Sequence, residues 1–154
     1  MEYFIIILVI GLALAPLSHF VPSKRQRQVA RMRETAAVRG LFVEFRDLPT
    51  DRRGNAAGAA DGASRGRIIY YGKRLPPARG DVDLRDSWVV DEQGWRSLRG
   101  TRKPPGILGD LPGEVLAASV DEGSCGIYWA EAGEEAELVQ IIAVLEDWAR
   151  QLRP

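Results

Sequence analysis

An uncharged run from Phe4 to Val21 constrains this chain more than any other feature. Its eighteen positions carry no Asp, Glu, Lys or Arg, and the run ends abruptly at Pro22-Ser23-Lys24-Arg25-Gln26-Arg27. As a helix, eighteen residues with a rise of about 1.5 Å each approach the length that crosses the hydrocarbon core of a bilayer. The run therefore predicts a transmembrane anchor over residues 1–21.

A cleaved secretory signal is the alternative interpretation of the same run, with Ala13-Leu14-Ala15 as its small-residue cleavage site. Such a signal has a positively charged start, whereas the only charged side chain before the run is Glu2. Cleavage after Ala15 would also place Pro16 directly past the scissile bond. These features favour an uncleaved anchor.

Basic residues collect on one side of the run and determine its predicted orientation. Six of them lie between Lys24 and Arg39, and none precedes the run. Because Lys and Arg favour the cytoplasmic side, we expect the N-terminus outside and residues 22–154 in the cytoplasm. Five basic residues are candidate contacts with the anionic inner leaflet: Lys24, Arg25, Arg27, Arg31 and Arg33.

The pattern after the run predicts a basic helix followed by an α+β domain. Residues 22–40 indicate a juxtamembrane helix with Ser23 as its N-cap and Gly40 just past its end. Residues 41–154 indicate a cytoplasmic domain with a small antiparallel sheet, whose strand-like runs are separated by turn residues. Residues 50–66 consist largely of Gly and Ala and predict a mobile loop. The strand-like runs are 41–46, 67–73, 88–90, 95–98, 115–120 and 125–130.

The C-terminal segment has the clearest helical pattern in the domain. Its apolar residues follow the spacing of one helical face, and three glutamates occupy its first turn. We expect this helix to pack on one face of the sheet, which gives an α+β fold behind an N-terminal transmembrane helix. The apolar residues are Leu138, Ile141, Ile142, Leu145, Trp148 and Leu152.

The side chains that most active sites require are scarce in the domain. The only histidine, His19, lies in the uncharged run, so the only cysteine, Cys125, has no histidine in the domain to act as its base. One thiol without an imidazole excludes the usual zinc sites. The glycine motifs that bind nucleotide phosphates do not occur either. We therefore predict no catalytic, cofactor-binding or metal-binding residues, no cofactor and no nucleic-acid partner.

Two other functions stay open at this point. One is a membrane-tethered enzyme that uses carboxylates or Cys125, and the other is a sensor that binds a small ligand on the sheet. Asp81 and Asp83 resemble the start of a calcium loop but lack its glycine and its final glutamate. Arginines that interleave with aromatic residues suggest instead a surface for a protein partner. The candidate partner surface consists of Arg96, Arg99, Arg102 and Lys103.

The first quarter of the chain resembles the YajC family, small membrane proteins associated with the bacterial Sec translocase. The resemblance lies in an outward N-terminus, a short span and the boundary Val21-Pro22-Ser23-Lys24-Arg25-Gln26-Arg27. It implies an accessory subunit of the bacterial inner membrane with a β-rich cytoplasmic domain. The domain here is longer, and the family's Gly-rich strand pattern after the basic segment is missing. We predict a non-enzymatic accessory or scaffold protein whose cytoplasmic domain binds a membrane-associated protein complex.

Overall fold

The computed structural model describes residues 2–14, 22–49, 68–77, 85–100 and 102–152. The chain divides into two compact units, residues 1–31 and residues 32–154. The regular elements, in chain order, are α1 (Glu2–Leu14), α2 (Lys24–Val38), β1 (Leu41–Glu44), β2 (Ile69–Arg74), β3 (Asp86–Asp91), β4 (Gly94–Ser97), a 3-10 helix (Gly106–Asp110), β5 (Val115–Val120), β6 (Ser124–Trp129) and α3 (Glu135–Gln151).

Helix α1 is shorter than the predicted transmembrane anchor. It contains 13 residues, and a helix of that size is about 20 Å long, against a hydrocarbon core of about 30 Å. Among the described residues, no helix combines the length and the apolar character needed to cross a bilayer. The prediction of a transmembrane helix is therefore wrong, and so is the single-pass location in the inner membrane that followed from it. Residues 15–21, the rest of the predicted span, lie outside the described residues.

Helix α2 begins directly after Ser23, as its N-cap predicts. The Ser23 hydroxyl accepts a hydrogen bond from the Gln26 N–H at 3.2 Å, and the Gln26 side-chain oxygen accepts one from the Ser23 N–H at 2.8 Å. This reciprocal pair is a capping box. At the other end the chain reverses at Gly40, whose φ of 75° suits glycine.

The six strands form one antiparallel sheet in the order β1-β2-β6-β5-β3-β4. This confirms the predicted antiparallel α+β domain and both of its hairpins, β3–β4 and β5–β6. In the first hairpin, Gly94 has a φ of 108° and the Asp91 carboxylate accepts the Gln93 N–H at 2.9 Å. Strand β1 ends at Glu44, two residues before the predicted end. The predicted loop, residues 50–66, lies outside the described residues.

One face of the sheet carries the main core, under α3. A row of directly paired residues crosses four strands there: Trp88, Ala118, Ile127 and Tyr71. Directly paired residues of neighbouring strands point to the same face. Trp148 of α3 lies over this row, with its ring centroid 5.8 Å from that of Trp88 in an edge-on contact. The predicted packing of the C-terminal helix on one sheet face is confirmed.

The opposite face carries a smaller buried cluster of Tyr70, Val89, Ala117 and Tyr128. The Tyr70 ring lies directly on the backbone of Gly126, where a Cβ atom would come within 2.4 Å of the ring. Both tyrosines are at most 6% exposed. The rings of Tyr70 and Tyr128 are therefore not open for stacking with a ligand. The half-buried residues that pack against the cluster are Phe42, Leu48, Ile68 and Leu98.

Candidate functional site

A buried glutamate connects the sheet to α2. Glu131 lies in the connection between β6 and α3, is 4% exposed, and has a φ of 50°. Positive φ is uncommon outside glycine, and a buried carboxylate is costly unless it is paired. Both features indicate that neighbouring groups hold this residue in place.

Two side chains supply those partners. The Arg33 guanidinium donates two hydrogen bonds to the Glu131 carboxylate, from Nε at 2.8 Å and from Nη2 at 2.6 Å. The Tyr71 hydroxyl donates a third to Oε1 at 2.7 Å. Bidentate pairs of this kind are among the stronger hydrogen bonds in proteins. Glu131 thus connects α2, β2 and the β6–α3 connection.

The pKa shifts in this cluster favour a structural role over a catalytic one. The hydrogen bonds to Glu131 raise the pKa of Arg33. Burial, and then the hydrogen bond to Glu131, raises the pKa of Tyr71 well above its ordinary value of 10.0. A tyrosine that keeps its proton at neutral pH is no general base. We therefore assign the cluster a structural role.

The predicted lipid-contact residues divide between the two units. Arg33 belongs to the second unit, where its bond to Glu131 commits it to the protein. The other four are exposed on α2 in the first unit: Lys24, Arg25, Arg27 and Arg31. Their contact with anionic lipids stays a prediction.

Cys125 has the surroundings of a core residue. Its side chain is 0% exposed on the α3 side of β6, and burial raises its pKa to about 12. The reactive form of cysteine is the thiolate, so this thiol is poorly suited to act as a nucleophile at neutral pH. Within the described residues, no group of three or more His, Cys, Asp or Glu side chains could hold a metal ion.

The outer side of β4 is an open sheet edge. Strand β4 is the last strand of the sheet, and no described strand pairs with its outer side. The Leu98 N–H donates to the Ser87 carbonyl at 2.8 Å across the β3–β4 ladder. Because inward and outward groups alternate along an antiparallel strand, Gly94 and Arg96 also face β3. The backbone N–H and C=O groups of Trp95 and Ser97 therefore point outward.

Apolar side chains lie beside these outward groups. Trp95 is half-buried and pairs with Val90, which is 37% exposed. Since Trp88 pairs with Ser97, these side chains are on the sheet face that carries α3. Natural proteins usually protect such edges because they invite pairing with another chain.

The predicted partner surface begins in β4 and continues in the chain that follows this strand. Arg96 lies in β4, and the other three residues follow the strand, all exposed: Arg99, Arg102 and Lys103. The Arg96 Nε donates to the Asp91 carboxylate at 3.0 Å, and an Arg99 Nη donates to the Arg85 carbonyl at 3.4 Å. The Gln93 N–H and then Arg96 lower the pKa of Asp91. Neither Arg99 nor Lys103 makes an ion pair within the described part of the chain.

The other edge of the sheet differs in its charges. Beside β1, Arg46 pairs with Glu44 at 2.9 Å and lies 3.7 Å from Asp121. Phe45, just past β1, is 80% exposed but has the Arg33 guanidinium 5.8 Å from its ring centroid. Acids thus balance the arginine beside β1, whereas residues 96–103 contain four bases and no acid.

Sequence reasoning found the basic residues of the β4 edge but missed two features of the structure. It did not single out Glu131, since no local pattern marks a contact with a residue 98 positions away. It also did not single out Trp95, which is half-buried in β4. The hairpin pattern could have indicated this residue, because it placed Trp95 in a short strand.

Comparison with known proteins returned no match: no family model, no curated protein and no solved structure is similar to this chain. The resemblance to the YajC family therefore stays a prediction.

Proposed function

We propose that the chain is a non-enzymatic accessory protein whose domain binds another protein at the outer edge of β4. The partner contributes an extended segment that pairs with β4 as a seventh strand, a mode known as β-augmentation. Main-chain hydrogen bonds supply affinity in this mode, and neighbouring side chains supply specificity.

The open edge of β4 is the observation that carries this proposal. The edge presents the outward backbone groups of Trp95 and Ser97 next to a partly exposed apolar pair, Val90 and Trp95. The outward N–H and C=O groups of an edge strand are complementary to any extended chain, because they lack a strand partner. An added strand would also place a side chain beside Trp95.

Selection of peptides that bind the domain from a displayed library of random heptapeptides tests the proposal. The affinity of the selected peptides is then compared between two matched variants of the domain. Trp95→Ala removes the indole but keeps the outward N–H, whereas Trp95→Pro removes both. Proline is tolerated at edge positions whose N–H faces solvent. We expect the selected peptides to bind Trp95→Ala several-fold more weakly than the natural domain, and Trp95→Pro at least tenfold more weakly than Trp95→Ala.

Two results would contradict the proposal. One is a selection in which no heptapeptide binds the folded domain. The other is a set of binders with equal affinity for the alanine and proline variants, because main-chain pairing at Trp95 would then contribute nothing. Far-ultraviolet circular dichroism of both variants establishes that each remains folded.

A further inference from the structure

We infer that the segment received by β4 alternates acidic and apolar side chains, an inference that rests on the proposed function and specifies its partner. Side chains of neighbouring strands that lie opposite each other share a face of the sheet. The two faces of β4 differ in chemistry, so an added strand meets a different requirement on each.

The face that carries α3 is apolar at this edge. Trp95 and Val90 form a directly paired couple there, half-buried and 37% exposed respectively. A strand beside β4 would place every second side chain on the same sheet face as Trp95. Apolar side chains at those positions extend the contact and remove the indole from water.

The opposite face is basic. Arg96 pairs with Val89 across the ladder and therefore points to the face opposite Trp95. The Arg96 Nε donates to the Asp91 carboxylate, and this bond holds the arginine side chain in place. The two Nη atoms of Arg96 make no hydrogen bond within the described residues. An arginine fork held in this way is suited to a carboxylate. Arg99 and Lys103 follow β4 in the sequence, are exposed, and add two positive charges to this part of the chain.

Three acetylated and amidated hexapeptides test the inference by calorimetry or fluorescence anisotropy. The first alternates Glu and Val, the second alternates Lys and Val, and the third has three Glu followed by three Val. The third has the composition of the first without its alternation. We expect the first peptide to bind at least tenfold more tightly than either of the others, with an affinity that falls as salt rises.

Charge reversal on the domain provides the second arm. Arg99→Glu combined with Lys103→Glu breaks no ion pair within the described residues. We expect this variant to lose the preference for the acidic peptide or to favour the basic one. Arg39→Glu, two residues before β1 at the other edge of the sheet, also breaks no ion pair within the described residues and is the control, which should leave the preference unchanged.

Equal affinity for the acidic and basic alternating peptides would overturn the inference. So would equal affinity for the alternating and block peptides, or a preference that survives the double reversal. If the hexapeptides still bind and Trp95→Pro abolishes their binding, the proposed function stands but the preference for an acidic alternating segment does not. If no peptide binds at the edge, both proposals fail together.

Discussion

Removing the charge of Glu131 should destabilise the domain, because the buried carboxylate holds Arg33 and Tyr71 together. Glu131→Gln keeps the size of the side chain but removes its charge, and the amide nitrogen that replaces one carboxylate oxygen cannot accept a hydrogen bond from Arg33. Breaking a fully buried pair costs about 3–5 kcal/mol. The Arg33 side chain is 38% exposed, so water recovers part of that loss. We expect a decrease of about 2 kcal/mol in the free energy of unfolding.

Urea unfolding followed by tryptophan fluorescence measures this change. Tyr71→Phe removes only one hydrogen bond and should cost about 1 kcal/mol. Glu131→Gly and Glu131→Ala form a matched pair, since both delete the carboxylate but only glycine accepts a φ of 50° without strain. The glycine variant should be more stable by about 0.5–1 kcal/mol. A loss below about 0.5 kcal/mol for Glu131→Gln would refute the assignment of Glu131 as the connection between α2 and the sheet.

Three further predictions concern the core. Gly126→Ala should cost about 1–3 kcal/mol because its Cβ would come within 2.4 Å of the Tyr70 ring, whereas Gly109→Ala, with nothing within 4 Å, should be nearly neutral in the same unfolding assay. Stability should fall as pH rises above about 10, since Tyr70 and Tyr71 ionise near 10.0 when unfolded but have raised pKa values, about 12 for Tyr70, when folded. Replacing both with Phe should flatten this dependence in urea titrations from pH 9 to 11. Cys125 should react with a thiol reagent at pH 7.5 far more slowly in the native than in the urea-unfolded protein, and equal rates would show that its site is open.

Local chemistry explains why much of the domain could be predicted from sequence. The capping pair at Ser23, the turn glycine Gly94 and the apolar stripe of α3 each act within a few residues. Such signals fix where helices and hairpins begin and end. The predicted basic helix, C-terminal helix and hairpins accordingly agree with the structure, whereas the predicted transmembrane helix does not.

Strand order and the buried pairs depend on contacts between distant parts of the chain. Pairing of β2 with β6, and of β3 with β5, leaves β1 and β4 at the edges, and no local pattern encodes that arrangement. The bond between Arg33 and Glu131 is of the same kind. The transmembrane prediction was wrong for a different reason. It counted uncharged residues through Val21, whereas α1 ends at Leu14.

Amide hydrogen exchange, resolved by residue with NMR, tests the proposed binding edge most directly. The measurement compares the domain alone with the domain saturated by the alternating Glu-Val hexapeptide. Outward N–H groups gain a strand partner on binding, whereas the N–H of Arg96 already faces β3. Strand pairing at the outer edge of β4 predicts slower exchange at Trp95 and Ser97, little change at Arg96, and no change along β1. Protection along β1, or no gain in protection at Trp95 and Ser97 in the bound state, would contradict it.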